Sequence, residues 1–210
     1  MVTIVDDFLP SAEFTRIRQL TRPRRGGRDV YSQLPDVPFL DPLQSAITAR
    51  FPVVDGLSIQ HILLRFEGQT GLLHHDLNGR PHRRFSLLFY IDVPTEGGQL
   101  IFPFFDDLGI PTDNPVTEAC CLLHADGRLY SKDPALETYM IAHQDTLLTV
   151  PPRPNTAVFF ASDDPATWHF ACPVGAGERS CLVFFYQGLS ALDAPGRHAN
   201  MLLPENPNRS

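Results

Sequence analysis

Hydrophobic positions along the chain change their rhythm once. Up to about residue 56 they recur at three- and four-residue spacing, and beyond it they come in short, dense runs bounded by turn residues. The opening VTIVDDF reads as a strand. A helix is expected from about Ser11, with Ser11 as its N-cap, Glu13 in the first turn, and Phe14, Ile17 and Leu20 at helical spacing. DPLQSAITARF predicts a second helix, capped by Asp41, with Pro42 at its first position and Leu43, Ile47 and Phe51 on one face. From residue 57 the runs LSIQHILLRFE, RFSLLFYIDV, GGQLIF, TLLTV, TAVFFAS, TWHFAC and RSCLVFFYQ follow one another, separated by Gly, Pro, Asp and Asn. Many short strands with turn signals between them predict a sandwich or barrel, with the two earlier helices packed outside a β core.

This pattern divides 1–210 into a helical support (1–56), a β core (57–187) and a C-terminal tail (188–210), all within a single domain. Between Pro103 and Gln144 the strand rhythm weakens. The region of about 104–143 is expected to be an insertion with a hairpin at Asp126–Gly127, and a candidate cover for a site. Composition, with 43% hydrophobic and 20% charged residues, is that of an ordinary globular protein. A net charge of −7 argues against a nucleic-acid partner, and the one basic cluster, TRPRRGGR, is broken by Pro and Gly and lacks interleaved aromatics. No apolar run is long enough to span a membrane. The acidic N-terminus is unlike an export signal, so a cytoplasmic location is expected. Cys120, Cys121, Cys172 and Cys181 show neither CxxC spacing nor disulfide density, and are read as buried structural cysteines.

The chemistry is concentrated in GLLHHDLNGR. In extended chain, residues i and i+2 point the same way, so His74 and Asp76 can converge on one ion while His75 turns away. A catalytic metal needs a third ligand, and His169 in TWHFACPV is the candidate. Two imidazoles and one carboxylate form the facial triad of non-haem Fe(II) oxygenases, which leaves coordination positions open. Ten residues after His169, across the turn-like PVGAGE, stands Arg179, and a chain reversal there would bring it back beside the histidine. In RSCLVFFYQ, Arg179, Cys181, Val183 and Phe185 share a face, which sets a single cation in an apolar lining. A guanidinium in such a place suits a planar carboxylate, as in a site that anchors the far end of a diacid.

With LLRFEGQTGLLHHD, FSLLFYIDVPTEGGQLIF, PNTAVFFAS and HFACPVGAGERSCLVFFYQ in this order, the sequence resembles the Fe(II)/2-oxoglutarate-dependent oxygenases, in their prolyl-hydroxylase-like branch, from about Leu63 to Gln187. The resemblance implies a double-stranded β-helix (jelly roll, cupin-like), mainly β with flanking helices. It implies His74, Asp76 and His169 as metal ligands and catalytic residues, and Arg179 as the partner of the 5-carboxylate of 2-oxoglutarate. Tyr90 in LLFYID matches a tyrosine that helps to bind the same carboxylate. The implied cofactors are Fe(II), 2-oxoglutarate as co-substrate and dioxygen, with ascorbate as an auxiliary reductant. The chain departs from the family where Phe66 follows Arg65 in place of Tyr, where Cys181 replaces the Ser of Arg-x-Ser, and in the long separation of Asp76 from His169.

The retained Asp76 carboxylate makes hydroxylation the expected outcome, with desaturation or ring formation as other uses of the same site. The expected substrate is a small molecule, an amino acid or natural-product intermediate. Sixteen arginines against the single Lys132 suggest a GC-rich genome and specialised metabolism. The alternatives are a prolyl or peptidyl hydroxylase and a non-catalytic metal- or sugar-binding cupin-like module. A sugar-binding module would need none of these four residues, and a metal sensor would not need the arginine. The other histidines are read as bystanders. His124–Ala125–Asp126 repeats the His-x-Asp spacing but runs into the Asp126–Gly127 turn, His61 belongs to the core, His82 lies in the solvated loop GRPHRR, and His143 and Trp168 are structural.

Overall fold

The computed structural model describes residues 1–21, 31–32, 40–66, 74, 76, 82–102, 121–123, 129–131, 138, 142 and 147–188. Its elements, in chain order, are β1 (Val2–Val5), α1 (Ser11–Leu20), β2 (Tyr31–Ser32), α2 (Asp41–Arg50), β3 (Ser58–Phe66), β4 (Arg83–Asp92), β5 (Glu96–Gly97) and β6 (Leu100–Phe102). They continue with β7 (Cys121–Leu123), β8 (Leu129–Ser131), β9 (Leu148–Val150), β10 (Ala157–Ala161), β11 (Phe170–Ala171), β12 (Val174–Ala176) and β13 (Arg179–Gln187). The major sheet runs β1-β10-β4-β13-β3-β2, with every neighbouring pair antiparallel. Facing it is a smaller sheet, β11-β6-β9, which His74 extends through a single bridge to His169. Two two-stranded pairs, β12-β5 and β7-β8, complete the described pairings. This is the jelly-roll arrangement that the sequence implies.

The central strands of the major sheet are buried on both faces, which is why RFSLLFYID and RSCLVFFYQ read as nearly unbroken apolar runs. Alternation sorts their side chains into two cores. Leu87, Phe89, Ile91, Phe159, Leu182, Phe184 and Tyr186 meet the helices, against Ile17, Leu43, Ile47 and Phe51. Leu88, Tyr90, Val158, Phe160, Cys181, Val183 and Phe185 fill the space between the sheets with Leu100, Phe102 and Val150. Phe51 stacks on Phe159 at 4.1 Å and Phe14 meets Phe89 edge-on at 6.0 Å, so both helices are held by aromatic pairs.

Three local expectations need correction. Neither Ser11 nor Asp41 caps a helix: both lie inside the first turn, Pro10 and Leu40 occupy the cap positions, and no side chain bonds there. The Leu20 side chain is exposed, because α1 packs through Ile17 and Phe14 alone. PVGAGE is not simply a turn. Val174–Ala176 forms β12 on β5, while β13 pairs with β3 and β4, so the reversal passes from one sheet to the other. Strands β7 and β8 pair as the two arms expected around Asp126–Gly127, a turn that itself lies outside the described residues.

Candidate active site

Between the two sheets, His74, Asp76 and His169 bring ligand atoms to within 4.8 Å of one another. His74 Nε2 is 3.5 Å from Asp76 Oδ1, and His169 Nε2 is 3.9 Å from the same oxygen. The two histidines belong to neighbouring chains of the smaller sheet. The His74 amide donates to the His169 carbonyl at 3.0 Å, and the His169 amide returns the bond at 2.8 Å. Their rings lie 4.4 Å apart. Asp76 reaches the same point from a turn rather than from a continued strand, and His75 lies outside the described residues.

The burial is unequal. Side chains of Asp76 and His169 are 6% and 4% exposed, against 33% for His74, so the site opens on the His74 side. Burial works against a charge on Asp76, but the imidazoles of His169 and His74 outweigh it and hold the carboxyl well below its usual range. Burial, with His74 close by, pushes His169 down to about 4, so its imidazole is neutral at physiological pH. His169 Nδ1 lies 2.9 Å from the Thr167 carbonyl. A carbonyl only accepts, so Nδ1 carries the proton and Nε2 keeps a lone pair directed at the site. Thr167 is itself fixed, its hydroxyl donating to the Ala161 and Asp164 carbonyls. Asp76 Oδ2 is buried without a hydrogen-bond partner. An anionic oxygen left so, beside two imidazole nitrogens, fits a bound cation.

Arg179 opens β13 on the face of Cys181, Val183 and Phe185 and is 3% exposed. Its guanidinium donates to the Gly98 carbonyl at 3.4 Å and towards the Cys181 sulfur at 3.9 Å, both long contacts. The Tyr90 ring lies 5.8 Å away. The Tyr90 hydroxyl is buried without a partner, and burial pushes its pKa up, so it stays a protonated donor. A buried guanidinium close to a buried hydroxyl without a hydrogen-bond partner is a chemistry suited to an anion such as a carboxylate. Burial likewise raises the Cys172 thiol to about 11 and leaves Cys181 raised too, so neither thiol competes with it as a thiolate. Cys172 and Cys181 are free and buried; Cys120 lies outside the described residues.

Glycine lets the strands close on this end. Gly98 has φ +74°, and a Cβ there would lie 2.8 Å from Pro94 and 3.4 Å from the Arg179 side chain. At Gly97 it would lie 2.1 Å from the Pro173 carbonyl. The sequence motif GGQLIF carried this signal without showing its purpose.

The solvated reading of GRPHRR holds for His82, which is exposed, and fails for Arg83, which is 5% exposed and lies over the Phe185 ring. The inner lining therefore holds a second cation besides Arg179. A β-bulge explains the miss: β4 and β13 slip register between Tyr186↔Phe85 and Gln187↔Arg83, so Arg83 leaves the helix-side face that strict alternation assigns it. Of the remaining histidines, His61 is half-buried on β3 beside Phe184, and His124 and His143 lie outside the described residues. Trp168 is buried in the core.

A family model described as the 2OG-Fe(II) oxygenase superfamily matches residues 61–187, the span from β3 to the end of β13. No curated protein matches the chain. Among solved structures, a viral collagen prolyl hydroxylase from Paramecium Bursaria Chlorella virus-1 is similar at TM-score 0.58 and 16% identity, over 90% of each chain. That enzyme is also solved as a 2OG complex. A Pseudomonas putida prolyl-4-hydroxylase is similar at TM-score 0.56 and 18% identity, over 90% of this chain and 88% of that one. A Trichoplax adhaerens prolyl hydroxylase, in complex with a hypoxia inducible factor oxygen degradation domain peptide fragment, is similar at TM-score 0.52 and 13% identity, over 89% and 83%.

Proposed function

The chain belongs to the 2OG-Fe(II) oxygenase superfamily, and from that premise we propose that it hydroxylates an unactivated C–H bond of a small molecule, an amino acid or a natural-product intermediate. The protein is a 2-oxoglutarate- and Fe(II)-dependent oxygenase. In this reading His74, Asp76 and His169 hold the iron, which with 2-oxoglutarate and dioxygen supplies an oxidant able to attack a C–H bond. That chemistry would release succinate and carbon dioxide from 2-oxoglutarate, with one atom of dioxygen in succinate and one in the product. Arg179 would pair with the distal carboxylate of 2-oxoglutarate, and Tyr90 would donate its hydroxyl to the same group. Thr167 keeps His169 in the tautomer that offers Nε2.

The observation that carries this reading is a triad with two buried ligands in the same jelly roll as a buried arginine–tyrosine pair. Burial of two of the three ligands supports a substrate that enters whole or presents one small group. A peptidyl prolyl residue is the second reading, favoured by the recurrence of prolyl hydroxylases among proteins of similar fold. No helix among the described residues is long and apolar enough to cross a membrane. A panel of free amino acids, free proline included, and of proline-containing peptides tests both readings by succinate release and product mass. A gain of one oxygen atom on a free amino acid supports the first. A gain confined to peptides overturns it in favour of the second.

A further inference from the structure

The roles above leave one buried cation unassigned. Arg83 donates from Nη1 to the Asp76 carbonyl at 2.7 Å and from Nη2 to Gln60 Oε1 at 3.3 Å, and its guanidinium carbon lies 3.6 Å from the centre of the Phe185 ring. Gln187 Nε2 approaches the same Gln60 oxygen at 3.5 Å. The arginine is thus packed on β13, bonded to β3 and covalently part of β4, three adjacent strands of the major sheet. Its one remaining arm reaches across to the turn that carries Asp76.

The two histidines of the triad need no such support. Their main chains pair with each other through two hydrogen bonds, so the smaller sheet fixes their spacing. Asp76 sits in a turn, and among the described residues the one hydrogen bond to its main chain comes from Arg83. A carboxylate on a turn is free to swing unless its backbone is held, and a ligand that swings loses affinity for its ion. The bulge that re-aims Arg83 inward costs the sheet a regular pair, as bulges beside functional sites commonly do.

We propose that Arg83 is a positioning residue for the metal: it straps the Asp76 turn to the major sheet and thereby fixes the carboxylate against the rigid His74–His169 pair. The proposal rests on the reading of His74, Asp76 and His169 as metal ligands. In this arrangement Arg83 acts on the ion through the Asp76 turn, so its effect on metal affinity should be lost when the Asp76 carboxylate is absent.

The test is a double-mutant cycle on Co(II) affinity, measured by calorimetry on the metal-free protein without 2-oxoglutarate or substrate. Arg83→Met is expected to weaken Co(II) binding by about tenfold or more, the usual cost of losing a residue that orients a ligand. In an Asp76→Ala background the same substitution is expected to change affinity by less than about twofold. An equal loss in both backgrounds, or no loss in the parent, overturns the strap. If Arg83→Met does not fold, Arg83→Lys carries the same cycle, because lysine keeps the charge but not the planar fork. A loss of about threefold in the parent and none without Asp76 supports the strap, and equal losses, or none in either, overturn it. A parent that binds no Co(II), or an Asp76→Ala variant that binds as tightly as the parent, overturns instead the triad on which the proposal rests.

Discussion

Replacing Arg179 should separate the co-substrate site from the metal site. The guanidinium is buried, its contacts to Gly98 and Cys181 are long, and the ring of Tyr90, whose hydroxyl has no hydrogen-bond partner, lies 5.8 Å away. A carboxylate bound beside this guanidinium would take a charge-assisted pair from it. A hydrogen bond to a charged group contributes about 1.5–3 kcal/mol, and a two-pronged pair makes two of them. Arg179→Ala should then weaken 2-oxoglutarate binding by about a hundredfold or more, since 1.4 kcal/mol is a factor of ten. Arg179→Lys keeps the charge and loses the fork, for an expected loss of about tenfold. The assay is calorimetric titration of 2-oxoglutarate into Mn(II)-loaded protein, with Mn(II) affinity measured separately. Mn(II) affinity should stay within about threefold of the parent, because the hydrogen bonds of Arg179 to Gly98 and Cys181 do not position the three ligands. Unchanged 2-oxoglutarate affinity, or an equal loss of Mn(II) affinity, would refute the assignment.

Gly56→Ala, where a Cβ meets open space, should cost about 1–2 kcal/mol of stability from the left-handed backbone, and Gly98→Ala should cost more, because its Cβ would also lie 2.8 Å from Pro94. Only Gly98→Ala should also raise the 2-oxoglutarate requirement, because its Cβ crowds the Arg179 side chain; equal KM values in the two variants would count against this. The metal-free protein should lose stability as pH falls from 6.5 towards 4, because unfolded His169 binds a proton there that the buried ring refuses. His169→Gln should flatten that slope by up to about 1.4 kcal/mol per pH unit, one proton's worth, in denaturant titrations; an unchanged slope contradicts the burial argument. Asp76, whose ordinary value is 3.8, stays ionised in the folded state and adds to the slope only at the lower end of that window, where the unfolded carboxyl begins to bind a proton. His74→Ala should weaken Mn(II) binding severely while His75→Ala leaves most of it, by calorimetry; equal losses would mean that both histidines face the ion.

What the sequence made legible was whatever alternation and spacing encode. The long strands β4 and β13 are buried on both faces, so their apolar runs are unmistakable, and the inward face of Arg179, Cys181, Val183 and Phe185 follows from parity alone. The ten-residue spacing of His169 and Arg179 likewise survives, although the chain between them changes sheets through β12 instead of turning as a hairpin. Features that depend on broken parity or on three-dimensional contact stayed hidden. Arg83 looked solvated because a bulge reverses its direction. Thr167 orients His169 through a main-chain carbonyl, which any residue type could offer, so its identity carried no signal. The helices start one residue earlier than the capping signals imply, because neither start is fixed by a side-chain cap.

The central claim is that one ion, held by His74, Asp76 and His169, shares its pocket with a 2-oxoglutarate anchored by Arg179. Anaerobic addition of Fe(II) and 2-oxoglutarate tests it most directly through the visible metal-to-ligand charge-transfer band of the chelated pair. The parent protein should show the band, His74→Ala should not, and Arg179→Ala should show it only at much higher 2-oxoglutarate. A well-folded parent that shows no band, or a His74→Ala variant that keeps it, would contradict the account.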